Sequence, residues 1–236
     1  VTIARLKPPG FAMAKETFEV LMEQFAKSHA VMSRELSKAI IGQKEVLDQI
    51  FAAVMSRGHC LLVGVPGLAK TLIVSSLAKI MELSFKRIQF TPDLLPADVT
   101  GSSIYNPVSG SFDFRPGPVF CNILLADEIN RASPRTQAAL LEAMSERQVT
   151  TEGKLRELPQ PFMVVATQNP MDFHGTFPLP ESQLDRFMMS ISLGYPDREI
   201  ESSVISTRKD SDPLDSIEAV LTQEQVCKLQ QMTAKV

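Results

Sequence analysis

The sequence predicts an α/β fold with a mainly parallel sheet. Short apolar runs alternate along the chain with segments whose apolar residues recur at helical spacing, which is the pattern of successive β-α-β units. Hydrophobic residues make up 44 % and charged residues 22 % of the 236 positions, so the composition is that of an ordinary globular protein. This length allows one large domain, or one domain and part of another.

Five short apolar runs are predicted to form the strands of the sheet, because turn-forming or polar residues bound each of them. They are CLLV at 60–63, FKRIQF at 85–90, NILLA at 122–126, FMVVATQ at 162–168 and FMMSISL at 187–193.

Helices are predicted where apolar residues recur every three or four positions. They cover 16–40, where Ser28-His29 can interrupt the pattern, then a segment from Gly42 to Arg57-Gly58, then 70–81 and 135–147. Beyond Pro196 the polar segments 197–206 and 222–232 also have helical spacing and predict a small helical appendage, with the linker KDSDPLDS between them.

Two hairpins are predicted outside the sheet. The segment 91–118 is rich in proline and glycine, which excludes a long helix and predicts loops around a hairpin at NPVSGSFDF. VTTEGKLREL, at 149–158, predicts a second hairpin that turns at Glu152-Gly153.

Charge and cysteine content limit the classes of function. The net charge of −3 provides no overall basic field that would attract nucleic acid or an anionic membrane. Three cysteines without C-x-x-C spacing, two of them beside apolar runs, favour reduced thiols and a cytoplasmic protein. No run approaches the roughly 18 apolar residues of a membrane span, and the N-terminus lacks the apolar segment of a signal peptide.

GVPGLAKT, at 64–71, nearly matches the phosphate-binding pattern G-x-x-x-x-G-K-[ST]. Gly64 and Gly67 allow a tight loop between a strand and a helix, and Pro66 stiffens it. Ala69 replaces the second glycine of the pattern, at a position that should already enter the helix with a negative φ. The alternative is an ordinary strand-to-helix turn with a solvated lysine.

The end of this loop and the stretch ILLADEIN at 123–130 contain the predicted chemistry. Lys70 can reach the β- and γ-phosphates, and the Thr71 hydroxyl can bind Mg²⁺. Asp127 would hold Mg²⁺ through water, and Glu128 could polarise a water molecule for attack on the γ-phosphate. An acidic strand-to-helix loop without catalytic function is the alternative for the two acids.

Two further segments carry candidate residues. VVATQNP places Gln168 and Asn169 at the carboxyl end of a strand, where Asn169 can orient the attacking water or sense the γ-phosphate, although Asn-Pro is also a common turn. In PLPESQLDRF, Leu184 and Phe187 should anchor a short helix and leave Asp185-Arg186 exposed. Arg186 is a candidate arginine finger for a neighbouring subunit, with a surface ion pair as the alternative.

Several of these blocks together resemble the MoxR branch of the AAA+ ATPases, over about residues 38–200. They are GVPGLAKT, FTPDLLPADVTG, FRPGPVF, LLADEINRASPRTQAALLEAMSERQVT and ATQNP…GTFPLPESQLDRF. Ala69 is usual in that branch, which favours a working phosphate cradle. The resemblance implies a three-layer αβα core with a five-stranded sheet, hairpin inserts at about 102–114 and 149–158, and a C-terminal helical lid. It also implies a ring, usually a hexamer, with ATP at the subunit interfaces.

Three domains are predicted, and the resemblance implies a set of site residues. The domains are an N-terminal helical extension at 1–40, the nucleotide-binding core at 41–195 and a partial lid at 196–236. The nucleotide-binding positions are Ile41 and Gly42 beside the adenine, and Gly64, Val65, Pro66, Gly67, Leu68, Ala69, Lys70, Thr71 and Leu72 around the phosphates of ATP. Thr71 and Asp127 are the Mg²⁺ ligands, and Glu128, Asn169 and Arg186 are the catalytic residues.

Two features qualify the resemblance. Arg131 and Arg147 occupy charged positions on elements that face interfaces in such rings, and surface arginines are an equal alternative. The family's lid carries a sensor arginine in a short G-x-S-P-R-like motif, which does not follow Pro196, and Ser133-Pro134-Arg135 lies in the wrong place. The lid is therefore expected to be truncated.

The leading functional hypothesis is an ATP-driven, chaperone-like remodeller whose hairpin inserts act on a client protein, in the family often for complex maturation or metal-cofactor insertion. A nucleic-acid motor similar to the minichromosome maintenance helicases is the alternative, but NPVSGSFDF has no Lys or Arg and TEGKLRE has only two. A nucleotide-gated scaffold with little turnover is disfavoured by the presence of Glu128 and Arg186. No N-K-x-D motif supports a GTPase, and three scattered histidines predict no transition-metal site.

Overall fold

The structure of the protein, a computed structural model, describes residues 23, 26–170, 175–194 and 212–234. Helix α1 covers 26–36 without a break at Ser28-His29; residues 16–22 and 24–25 of the predicted helix, and the predicted helix at 197–206, lie outside the described residues. The other helices are α2 Lys44–Met55, α3 Lys70–Ile80, α4 Pro96–Thr100, α5 Pro134–Glu146, α6 Glu181–Leu184 and α7 Gln223–Thr233. The strands are β1 Cys60–Val63, β2 Phe85–Gln89, β3 Gly101–Asn106, β4 Ser111–Pro116, β5 Ile123–Asp127, β6 Gln148–Thr151, β7 Lys154–Glu157, β8 Met163–Gln168 and β9 Met189–Ser192.

Five strands form the main sheet in the order β2-β5-β8-β1-β9, and every neighbouring pair is parallel. All five strands predicted from the sequence are present, so the predicted α/β fold is confirmed. Because the strands are parallel, their carboxyl ends lie at one edge of the sheet, where ligands bind in open α/β sheets.

Apolar side chains cover both faces of this sheet. Leu125 and Val165 belong to a core cluster that includes α2 and α3, whereas their neighbours Leu124 and Val164 belong to a second cluster with α5. Successive residues of a strand point to opposite faces, so the continuous apolar runs of β5 and β8 supply both cores. The result is the expected arrangement of three layers.

Both hairpins form where the sequence predicts them. Strands β3 and β4 pair antiparallel, as do β6 and β7, and Glu152 and Gly153 both have the positive φ that the two-residue turn requires. The sequence pattern does not reveal α4, because a five-residue helix that begins at Pro96 is too short to show a period.

The cysteines behave as apolar residues, as expected. Cys60 and Cys121 are buried and form no disulfide, and burial raises the pKa of each thiol to about 12. Among the described residues, no helix is long and apolar enough to cross a bilayer.

His59 fixes the start of β8 to the end of α5. Its Nδ1 accepts a hydrogen bond of 2.9 Å from the Val164 N–H, so Nε2 carries the proton and donates to the Met144 carbonyl at 3.1 Å. Burial lowers the pKa of His59 to about 4; the Met144 contact opposes this shift and the Arg147 charge adds to it. Protonation of Nδ1 would break the bond from Val164.

We predict that His59 makes the fold sensitive to acid. The unfolded imidazole, with a pKa of about 6.5, binds a proton before the folded one does, so stability is retained above about pH 6.5 and falls between about pH 6.5 and pH 4. The loss should approach about 3 kcal/mol in urea titrations. His59→Gln should show a correspondingly flatter pH dependence, and equal pH dependence in both proteins would contradict the assignment.

Candidate nucleotide-binding site

The loop from β1 to α3 lies at the carboxyl edge of the sheet. The Gly64 N–H donates to the Gln168 carbonyl at the end of β8, at 3.1 Å, which ties the loop to the neighbouring strand. A Cβ at Gly64 would lie 2.9 Å from the Leu193 Cβ, so only glycine fits there. Gly67, with φ of 88°, makes the turn in a conformation that glycine adopts readily.

Ala69 differs from the expectation. It has φ of 54° and ψ of 25°, so the predicted negative φ is wrong and Ala69 adopts the left-handed conformation immediately before α3. The reason is that Ala69 is the N-cap residue, which precedes the first helical residue and therefore need not have helical angles. No side chain caps the N–H groups of the first turn of α3, which are thus suited to bind an anion.

Lys70 is the first residue of α3, and its amine turns back toward the loop. Its Nζ donates to the Gly64 carbonyl at 2.5 Å. Burial lowers the pKa of Lys70, and the negative charges of Asp127 and Glu128 oppose that shift. The amine therefore lies within electrostatic range of both predicted acids.

Asp127 ends β5 and has both carboxylate oxygens occupied. Oδ1 accepts a 2.5 Å hydrogen bond from the hydroxyl of the buried Thr167 on β8. Oδ2 accepts two hydrogen bonds from Arg87 on β2, from Nε at 3.2 Å and from Nη2 at 2.6 Å. Three neighbouring strands thus meet at this carboxylate.

Glu128 follows in a left-handed conformation, with φ of 56° and ψ of 50°. Its N–H donates to the Thr167 hydroxyl at 2.8 Å, which fixes this strained residue to β8. Its Oε2 accepts from Gln89 Nε2 at 2.9 Å and from Arg131 Nη1 at 3.1 Å. Strained residues that the surroundings hold in place are concentrated at functional sites.

These residues surround one cavity of about 390 Å³, within the range of about 300 to 1,000 Å³ for small-molecule sites. Its lining comprises Pro66, Gly67, Leu68, Ala69, Lys70, Thr71, Arg87, Gln89, Asp127, Glu128 and Asn169. The sequence motifs, up to 105 residues apart, are therefore brought together in space.

The chemistry of the lining fits a magnesium-bound phosphate compound. The Thr71 hydroxyl and the Asp127 carboxylate are hard oxygen donors, which Mg²⁺ prefers. Mg²⁺ is usually held by one or two such groups together with substrate phosphates, so a small protein donor set suffices. Lys70 and the uncapped N–H groups of α3 supply positive charge for the phosphates.

Comparisons with known proteins identify the family. A model of the ATPase family associated with various cellular activities (AAA) matches residues 59–189, more than half of the chain. Chaperone MoxR1 of Mycobacterium tuberculosis is 48 % identical to this chain. This chain is a member of the MoxR family of AAA+ ATPases.

Related proteins and a related solved structure agree with this family assignment. The uncharacterized protein YeaC of Bacillus subtilis is 50 % identical over 83 % of this chain, and the match to Chaperone MoxR1 covers 72 %. The chain spans 61 % and 45 % of the lengths of these two proteins. A crystal structure described as a candidate ATPase from Cytophaga hutchinsonii is 42 % identical, has a TM-score of 0.83, and covers 95 % of this chain and 68 % of its own.

Several predicted residues of this MoxR-family chain lie outside the lining of the cavity. Val65 and Leu72 pack against the apolar core. The Gly64 carbonyl accepts the hydrogen bond from Lys70. Ile41 and Gly42 are also outside, so their predicted contact with the adenine stays a prediction.

Arg186 lies next to α5, outside the lining of the cavity. Its Nη1 donates to the Leu141 carbonyl at 3.1 Å and to the Ser145 hydroxyl. The expectation that Leu184 anchors α6 is wrong, because 36 % of Leu184 is exposed. With only one turn, α6 is held instead by the buried residues that flank it, Leu179 and Phe187.

Sequence reasoning missed Arg87, Gln89 and Thr167. Arg87 and Gln89 are two residues apart near the carboxyl end of β2, so they share one face of the strand. Two polar residues at alternate positions near the end of a predicted strand were a usable signal. Thr167 gave no such signal, because threonine is common in strands and its role depends on the neighbouring strand.

We predict that the left-handed conformation of Ala69 disfavours a β-branched residue at this position. The left-handed conformation costs an L-residue roughly 1 to 2 kcal/mol, and a β-branched side chain makes it a genuine outlier. Ala69→Val should therefore lower the unfolding free energy by about 2 kcal/mol in urea titrations. Ala69→Gly is the matched control and should lose no stability; a loss equal to that of the valine variant would refute the account.

Proposed function

We propose that this protein binds ATP with Mg²⁺, hydrolyses it, and uses the cycle to remodel a client protein. The observation that carries the proposal is the cavity that loop residues 66–71 line together with Asp127, Glu128 and Asn169. The name of the relative Chaperone MoxR1 supports a chaperone-like role.

Each residue receives a role from its position. The N–H groups at the start of α3 and the Lys70 amine bind the phosphates, which requires Lys70 to exchange the Gly64 carbonyl for a phosphate oxygen. Thr71 and Asp127 hold Mg²⁺, which when bound would neutralise phosphate charge. Glu128 accepts a proton from the attacking water, and Asn169 orients that water.

The position of Arg186 fits a role in which it acts across the interface between two subunits of a ring. Arg186 is exposed just after α6 and lies outside the cavity of its own chain, which fits action on the site of another subunit once its contacts with Leu141 and Ser145 are released. In a ring of AAA+ subunits, with six subunits as the resemblance implies, an arginine from one subunit reaches the nucleotide of the next.

The hairpins support a protein client rather than nucleic acid. The hairpin β3–β4 carries one acid and one base, and the hairpin β6–β7 carries two of each, so neither provides the cationic surface that binds phosphate backbones. The tip of β3–β4 exposes Tyr105, Val108 and Phe112, and β7 exposes Leu155. Exposed apolar side chains of this kind suit apolar segments of a polypeptide. Complex maturation and metal-cofactor insertion are the processes that the resemblance suggests.

We predict that Glu128→Gln retains nucleotide binding and loses turnover. The amide keeps the shape of the side chain but cannot accept the proton, and a general base contributes roughly 10² to 10⁴ in rate. Phosphate release should fall at least about a hundredfold, with the affinity for a fluorescent ATP analogue unchanged within about threefold. Glu142→Gln, on the exposed face of α5, is the control and should retain turnover. Equal turnover in wild type and Glu128→Gln would remove the catalytic assignment.

We predict that Arg186→Ala and Lys70→Ala subunits complement each other. Each variant alone should be inactive, because one lacks the finger and the other the phosphate-binding amine. In mixed rings, an intact nucleotide site can meet an intact finger, so turnover should recover toward about one quarter of the wild-type rate for random mixing of equal amounts. Phosphate release by the mixture is the measurement. A mixture as inactive as its components would exclude action between subunits.

A further inference from the structure

Arg87 occupies one of the two oxygens of the carboxylate that the proposed function assigns to Mg²⁺. A carboxylate offers about four lone-pair positions, two on each oxygen. Arg87 Nε and Nη2 fill both positions of Asp127 Oδ2, and Thr167 fills one of Oδ1. A single position therefore remains, and the charge of Asp127 is already compensated.

Among the described residues, this ion pair differs from those formed within a single exposed helix. Lys27–Glu23 and Lys228–Glu224 join positions one turn apart on exposed helix surfaces. Arg87 and Asp127 lie 40 residues apart, on neighbouring strands that both end at the cavity, and only 17 % of the Asp127 side chain is exposed. Two charge-assisted hydrogen bonds to one oxygen in a partly buried site make a stronger contact than a surface pair.

The same guanidinium is linked to the second acid. Arg87 Nη2 donates to Gln89 Oε1 at 2.7 Å, and Gln89 Nε2 donates to Glu128 Oε2 at 2.9 Å. The amide of Gln89 thus has its oxygen on Arg87 and its nitrogen on Glu128. Movement of Arg87 away from Asp127 would remove one of the contacts that hold this amide.

We propose that Arg87 is an exchangeable counter-ion of Asp127, which neutralises the carboxylate before Mg²⁺ binds and releases it when the metal arrives with the nucleotide. The inference rests on the proposed function. Arg87 is a positioning residue in this role: it sets how strongly nucleotide binding depends on Mg²⁺, without contact with the reacting atoms.

If Arg87 and Mg²⁺ compete for Asp127, loss of Arg87 should have opposite effects on two quantities. It should weaken ATP binding without Mg²⁺ and lower the amount of Mg²⁺ that binding requires. Without Mg²⁺, loss of Arg87 leaves the negative charge of Asp127 uncompensated beside the phosphates, so ATP should bind more weakly. With Mg²⁺, loss of Arg87 removes a competing cation from Oδ2, so less metal should be needed. A direct contact between Arg87 and phosphate would instead weaken binding in both conditions.

The test compares Arg87→Gln with wild type in the binding of a fluorescent, non-hydrolysable ATP analogue. Affinity in EDTA should fall roughly threefold to tenfold, and the Mg²⁺ concentration that gives half-maximal binding should fall by a similar factor. Lys86→Gln removes the same charge from an exposed neighbour on β2, outside the lining of the cavity, and should change neither value. Arg87→Lys, which keeps the charge without the fork, should shift both values in the same directions by smaller factors.

Three outcomes would overturn the inference. These are an unchanged or raised Mg²⁺ midpoint in both Arg87 variants, equal weakening of binding with and without Mg²⁺, or the same shifts in Lys86→Gln. A thermal melt shows whether Arg87→Gln is folded. If it is not, the affinity in EDTA and the Mg²⁺ midpoint of Arg87→Lys decide the test. Failure of the wild-type protein to bind the analogue at any Mg²⁺ concentration would instead overturn the proposed function, and this inference with it.

Discussion

The parallel pairing of β5 with β8 determines where every group of the candidate site lies. Its register sets Ala126 beside Ala166, so the residues that follow in each strand reach the same edge of the sheet. There the Thr167 hydroxyl donates to the Asp127 carboxylate and accepts from the Glu128 N–H. A shift of one residue in this register would point Thr167 to the opposite face and leave both acids without this support.

Charge compensation follows from that arrangement. Two carboxylates at one partly buried edge would repel each other, yet Arg87 and Arg131 each hold one of them and Lys70 lies within range of both. The charged groups are therefore paired inside the site rather than stabilised by water alone.

The packing also connects this edge of the sheet to the hairpins. Helix α5 begins three residues after the turn that contains Glu128 to Arg131, and it leads through Arg147 directly into β6. The two hairpins contact each other, through hydrogen bonds from Ser103 to Glu152 and through the Arg156 guanidinium, 3.6 Å from the centre of the Phe114 ring. Displacement of α5 at the site would therefore act on both hairpins together.

The sequence by itself determined the α/β class, the five strands, both hairpin turns and the motifs around Lys70, Asp127 and Asn169, because each depends on local spacing or on turn residues. The tertiary structure decided the left-handed conformation of Ala69, which the sequence reading had wrong, the exposure of Leu184, and the partners of the two acids. Arg87 lies 40 residues from Asp127 and Thr167 a further 40, so no local pattern relates them. Their meeting depends on the strand order β2-β5-β8, which is a property of pairing between segments distant in the sequence rather than of any one segment.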